Sequence, residues 1–336
     1  MRSLRSESRM PNSGFSSTLR ECALETAWSL WTELGVNGPA RRHSGIGVDL
    51  EPLIVTTAYL SQDDARLREE SLDWCVSNYR FVSSDRLRNY LQTADDATQR
   101  AFHAYAATVR RIRRVSWPGD GTPYDFTPTG RSSPPDLSRP ALLQLRLRAV
   151  FGVSARAEVL RWLLDQPARF FGVLELSMRS SYGKDNVADT LDFLVRAGIV
   201  TTSTMTTGGN LRVFRINGEG ALVKALESWA TVPQQRWDAV FRIVVQLLEF
   251  ASTRAAQPAP RAVEIQQLLP TLEGDLRWLG TFPALRQGVE AVNDDFDEWA
   301  IRAVRHWANL EATERRPDRT PKTDRSPSPR APRSGL

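Results

Sequence analysis

Between Ser154 and Asn217 the spacing of apolar residues switches from helical to strand-like, and no other feature limits the architecture of this chain as much. In "SYGKDNVADTLDFLVRAGIV", Ser181 to Val200, the residues Val187, Leu191, Leu194 and Val195 recur at helical spacing. Ala197-Gly198 and a β-branched run follow at once, so the helix must stop at the glycine and the chain must enter a strand. Upstream, "SARAEVLRWLLDQ" predicts a helix with Ser154 as N-cap and Val159, Leu160, Leu163 and Leu164 as its core face. "FFGVLELSMRSSYG" predicts a short helix around Val173 to Met178, with Tyr182-Gly183 permitting the turn that follows. Downstream, "GIVTTSTMTT" and "LRVFRIN" predict two strands joined at Gly208-Gly209-Asn210, a hairpin signal.

Helical patterns flank this unit on both sides. "LRECALETAWSLWTELG" places Ala27, Leu30, Trp31 and Leu34 on one face and ends at Gly35. "VDLEPLIVTTAYL" begins a helix with Asp49 as N-cap and Pro52 in its first turn, and "DDARLREESLDWCVSNY" supplies a third. "SSDRLRNYL" is capped by Ser83 or Ser84, and "DATQRAFHAYAATVRRIRRV" ends on Arg110, Arg111, Arg113 and Arg114. That arginine run would either grip phosphate or complement a helix dipole. Residues 19–115 therefore read as one helical domain. Six prolines and three glycines between Ser116 and Pro140 mark 116–140 as a linker or surface loop. The central unit takes 141–230, opening on "ALLQLRLRAVFG". Three more helical segments define a C-terminal domain over 231–312, where Trp237, Phe241, Val245 and Leu248 form a stripe suited to a dimer contact or to internal core. Residues 1–18 read as a disordered leader and 313–336 as a disordered basic tail. The expected fold class is thus mainly α.

Charge and motifs narrow the function classes. The formal net charge is +5, and the tail from Arg315 onward holds seven basic and two acidic residues. The rest of the chain is close to neutral, so overall charge alone does not point to nucleic acid. Cys22 and Cys75 have no CxxC partner, which suits a reducing cytoplasm. No apolar run reaches the length of a membrane span. His43, His103 and His306 lie far apart, and no GxSxG, Walker or GxGxxG loop is present. Asp49-x-Glu51 faintly resembles the metal carboxylates of a nucleotidyltransferase, but those sit on strands and this pair begins a helix, so capping is its expected role. The acidic group Asp294, Asp295, Asp297 and Glu298 fits the solvated face of an amphipathic helix. No enzyme activity, cofactor or metal is expected.

The order helix, short helix, turn, helix, strand, glycine turn, strand is that of a winged helix. "FGVSARAEVLRWLLDQPARFFGVLELSMRSSYGKDNVADTLDFLVRAGIVTTSTMTTGGNLRVFRIN" resembles the winged helix-turn-helix of ArsR-like bacterial regulators. The resemblance rests on the "ARAEVLRWLL" first helix, the V-x-x-x-L-x-x-L-x-x-A-G-I-V helix and exit, and the glycine wing before "LRVFRIN", and it covers about a fifth of the chain. It implies a central winged helix between helical domains, binding double-stranded DNA as a transcription regulator and acting as a homodimer in the cytoplasm. Ser181, Tyr182, Lys184, Asn186 and Thr190 match the exposed face of its recognition helix, Arg179 the end of the supporting helix, and Asn210 and Arg212 the wing. Asp185, Asp189 and Asp192 depart from the pattern, since acids repel phosphates, although one could accept a bond from a cytosine amino group. The metal-sensing cysteines of ArsR repressors are absent, so metal sensing is not implied. Winged helices also serve as protein-interaction modules. Eight basic against six acidic residues between Ser154 and Arg215 keep that alternative open, for instance an antitoxin that partners a nucleotidyltransferase-type toxin and represses its own operon.

Overall fold

The computed structural model describes residues 12–38, 41–43, 45–206, 210–227, 229, 232–253, 257–308 and 314–315. Helices α1 (Asn12–Glu33), α2 (Leu50–Leu60), α3 (Ala65–Asn78), α4 (Ser84–Leu91) and α5 (Asp96–Ile112) come first, with the short strand β1 (Arg41–Arg42) between α1 and α2. The central stretch holds α6 (Leu143–Phe151), α7 (Ala155–Asp165), β2 (Phe171–Gly172), α8 (Val173–Ser180), α9 (Lys184–Arg196), β3 (Val200–Met205), β4 (Leu211–Ile216) and α10 (Ala221–Glu227). Then follow α11 (Trp237–Thr253), α12 (Pro258–Leu279), α13 (Val289–Trp307) and β5 (Glu314–Arg315), which pairs antiparallel with β1. Among the described residues the chain is mainly helical, with a three-stranded antiparallel sheet in the order β2-β4-β3. No helix among the described residues is long and apolar enough to cross a membrane.

Two apolar cores organise these elements. The first is built from α1 to α5 together with α11 to α13, so the expected separate domains at 19–115 and 231–312 share a single interior. Trp237 shows why: its indole is fully buried, donates to the carbonyl of Gly47 at 2.7 Å and stacks on Phe241 at 5.2 Å. Phe241, Val245 and Leu248 are buried beside it, so the stripe expected as a possible dimer contact is internal core. The second core joins α7, α8, α9, the sheet and α10. Helix α6 serves both: Leu145 packs in the first core, while Leu143 and Leu147 pack in the second.

Several expected boundaries move. α1 begins at Asn12, inside the expected leader, and buries Phe15. Of the two roles expected for 116–140, linker or surface loop, the segment takes the second: it is largely exposed and is fastened to the first core at a few points. Trp117 is buried against Phe102, and Asp73 accepts from the amides of Thr129, Gly130 and Ser132. Arg110 and Arg111 donate to carbonyls of that segment and Arg113 donates to Val76 of α3, so two of the four arginines fasten the loop and a third binds a neighbouring helix. β5 lies within the expected tail; residues 1–11 and 316–336 lie outside the described residues. Ser83 is the cap of α4, accepting from the amide of Arg86. Ser154 and Asp49 occupy N-cap positions, but neither side chain caps.

One buried group ties stability to pH. His43 is 1% exposed, with Nδ1 2.9 Å from Ser29 Oγ and its ring edge-on to Trp237. Burial pushes its pKa down from 6.5 to about 4. A folded-state pKa below the unfolded value means that the unfolded chain takes up the proton first. The stability contribution is therefore complete above about pH 6.5 and is lost as pH falls toward 4. Urea midpoints should report a loss of about 2 kcal/mol between about pH 7 and pH 5, on the order of one unit of pKa per 1.4 kcal/mol. His43→Gln should flatten that dependence, and an equally steep curve in this variant would assign it to other groups.

Candidate nucleic-acid interface

Helix α9 ends as its sequence requires. Gly198 adopts φ +72° and follows Ala197 at the C-cap. The Gly198 amide donates to Val195 at 3.0 Å and the Ile199 amide to Leu194 at 3.0 Å, a Schellman closure that turns the chain into β3. β3 and β4 pair from Val200↔Ile216 to Met205↔Leu211, and β2, which precedes α8, pairs with β4 at Phe171↔Phe214. Asn210 and Thr206 are described at the hairpin end; Gly208 and Gly209 of the expected turn lie outside the described residues. Val187, Leu191 and Leu194 bury the inner face of α9 in the second core.

The turn between α8 and α9 is made differently from expectation. Ser181, not Gly183, carries the positive φ, at 55°, and it is the one non-glycine residue of this kind among the described residues. A left-handed serine is strained, and outside contacts hold it: Asn89 Nδ2 of α4 donates to the Ser181 carbonyl at 2.9 Å, and Arg86 Nε donates to the Ser180 carbonyl at 2.8 Å.

These contacts sort the expected site residues into two groups. Tyr182 is 6% exposed, its hydroxyl 2.9 Å from Ser83 Oγ, so it faces the first core's helices and not the open side of α9. Arg179 bonds Glu175 at 2.9 Å, and its guanidinium lies over Trp162, Phe171 and Trp278. Ser181 is half-buried against α4. By contrast, Lys184 and Asn186 are exposed in the first turn of α9, Thr190 is half-buried one turn on, and Asn210 is exposed on the hairpin. Arg212 is partly open but bonds Asp192 at 2.6 Å, which neutralises one of the three unfavourable aspartates; Asp185 and Asp189 stay exposed. Arg156, Lys184, Arg196 and Arg215 have no carboxylate partner among the described residues, whereas Arg169 and Arg179 share Glu175.

Beneath this surface lies a buried ion cluster that sequence reasoning missed. Asp49 and Glu51 open α2, Arg86 comes from α4, Gln144 and Arg148 from α6, and Glu158 and Arg161 from α7. All seven are buried. Arg86 contacts both oxygens of Asp49, at 2.7 and 2.9 Å, and also pairs with Glu51. Arg148 clasps Glu51 at 2.6 and 2.9 Å and Glu158 at 2.8 and 2.6 Å. Arg161 reaches Asp49 at 2.8 Å and Glu158 at 3.2 Å, and Gln144 bridges the same two acids. Burial opposes ionisation of Asp49, yet Arg161 and Arg86 hold its carboxyl far below the usual range. Burial likewise opposes the charge on Glu158, and Arg148, Arg86 and Arg161 overcome it. Three acids and three arginines balance and join the two cores, and Arg86 carries the cluster on to the Ser180 carbonyl at the head of α9. Asp49-x-Glu51 is thus an ionic anchor rather than a cap. A visible signal was Glu158 and Arg161 one helical turn apart inside the otherwise apolar run of α7.

No protein-family model, no curated protein and no solved structure matches the chain.

Proposed function

We propose that this chain is a DNA-binding transcriptional regulator whose α7–β2–α8–α9–β3–β4 unit works as a winged helix-turn-helix on double-stranded DNA. The observation that carries the reading is the way α9 is presented. It starts on exposed Lys184 and Asn186, and it ends in a glycine turn to an antiparallel hairpin whose second strand pairs with the strand before α8. A helix held in this manner enters a major groove with its first turns toward the base edges, and the hairpin lies against the adjacent backbone. Asn186 is suited to adenine and Lys184 to guanine. Thr190, Asn210 and Arg212 complete the contact set, with Arg156 and Arg196 toward phosphates. Arg179, Ser181 and Tyr182 act instead from behind, by fixing the head of α9.

So few free cations give one copy little phosphate neutralisation, hence the proposal of a homodimer that reads two half-sites in the cytoplasm. In a mobility-shift assay on DNA upstream of the coding region, the pair Lys184→Ala and Asn186→Ala should weaken the specific complex by at least about tenfold, each base contact being worth roughly 1–3 kcal/mol. Unchanged affinity would remove α9 from the reading surface.

A second reading has its own observation. Leu174, Met178, Phe193, Met205 and Leu211 are exposed large apolar residues of the same unit. They suit a protein partner, as in an antitoxin that holds a nucleotidyltransferase-type toxin. Co-purification of a stoichiometric partner encoded beside this chain, lost on Phe193→Asp, would favour that reading.

A further inference from the structure

A cleft of about 550 Å³ opens between the head of α9 and the first core. One wall is Ser177 and Met178 of α8 with the Ser181–Gly183 turn; the other is α4, α11 and α12. Its size falls in the range of small-molecule sites, roughly 300–1,000 Å³.

The polar groups of the cleft do not balance as donors and acceptors. Two arginines and two aspartates line it, so its formal charge is zero. Both carboxylates are engaged: Arg236 takes both oxygens of Asp238 at 2.8 Å each, and Arg242 takes both oxygens of Asp275 at 2.9 and 2.6 Å, with a further contact to Asp238 at 3.3 Å. The guanidiniums are not used up. Arg236 Nη1 is buried without a hydrogen-bond partner among the described residues, on a side chain 7% exposed that is stacked over Trp278. Arg242 Nη1 has only a 3.5 Å contact to Thr93 Oγ1. One charged N–H edge with no partner and a second with a single long one, beside filled carboxylates, call for an acceptor oxygen, and charged donors favour an anionic one. A polyanion would meet Asp238 and Asp275, whereas a single carboxylate would not exceed the donors present. Tyr90, Tyr182 and Met178 offer apolar wall for a carbon frame.

We propose that this cleft binds a small organic monocarboxylate whose oxygens take the unpartnered Nη1 of Arg236 and the Nη1 of Arg242, the latter in place of its long contact to Thr93. Such a ligand touches both cores and the turn that fixes α9, which makes it an effector of DNA reading; that role rests on the function proposed above, while binding itself does not.

Benzoate is the probe, followed by ligand-observed NMR and calorimetry on the full chain without DNA. Millimolar binding is expected, weakened about tenfold or more in Arg242→Lys, which keeps the charge but loses the second N–H edge. Thr271→Trp, at an exposed position on the cleft rim, should block benzoate without touching the ion pairs, and it decides the matter if the arginine variant fails to fold. Absence of binding up to about 10 mM would overturn the assignment, as would benzoate binding indifferent to both variants. Tighter binding of inorganic phosphate than of benzoate would overturn the monocarboxylate class. Benzoate binding in a chain that selects no DNA sequence would leave the site standing and remove the regulator reading alone.

Discussion

Replacing Arg148 with methionine is expected to lower folding stability by about 3–5 kcal/mol, the usual cost of taking one partner from a buried ion pair. Its guanidinium is fully buried and binds Glu51, Glu158 and the Phe81 carbonyl at once. Without it, Glu51 keeps Arg86 and the Ser83 amide, and Glu158 keeps Arg161 and Gln144. Both acids then carry a charge that burial opposes with fewer donors to hold it. Denaturant unfolding followed by tryptophan fluorescence measures the loss. A second variant tests its cause: Arg148→Met combined with Glu158→Leu should lose less than the sum of the single changes, because the stranded charge is gone. Simple additivity would mean that Arg148 acts through packing alone. The same cluster holds the α8–α9 turn through Arg86, so the single variant should also raise hydrogen exchange at the head of α9.

Trp237→Ala is the other large effect, again about 3–5 kcal/mol, from the cavity left by a fully buried indole. It also leaves the Gly47 carbonyl without its indole donor and removes the ring against which His43 and Phe241 pack. Because α11 completes the core of α1 to α5, protection from hydrogen exchange should fall across α1 and α2 and not only in α11. A loss confined to α11–α13 would restore two independent helical domains and contradict the shared core.

Local features of this chain were legible because local patterns encode them. The change of period after Leu194, Gly198 as the stop of α9, and the pairing of "GIVTTSTMTT" with "LRVFRIN" all depend on residues a few positions apart. Grouping of helices into cores depends on contacts such as Trp237 with Gly47, 190 positions apart, and no spacing rule reaches that far. Tyr182 illustrates the same limit within the candidate site. Its position at the head of α9 matched a reading face, but Ser83 and Asn89 of a distant helix cover that corner and turn it into a joint between cores. Asp49 looked like a cap because capping is the commonest reason for an aspartate before a helix. Its actual partners, Arg86 and Arg161, are 37 and 112 positions away. The balance of eight basic and six acidic residues does not reveal which cations are available, since Arg161, Arg179 and Arg212 are tied to carboxylates through folded contacts.

The claim that α9 reads DNA is tested most directly by selection of bound duplexes from a random-sequence pool at moderate salt. The full chain should enrich one motif over successive rounds, and the Lys184→Ala, Asn186→Ala chain should fail to enrich it while remaining folded. A pool that stays random with the wild-type chain, or the same motif enriched by both proteins, would contradict the reading.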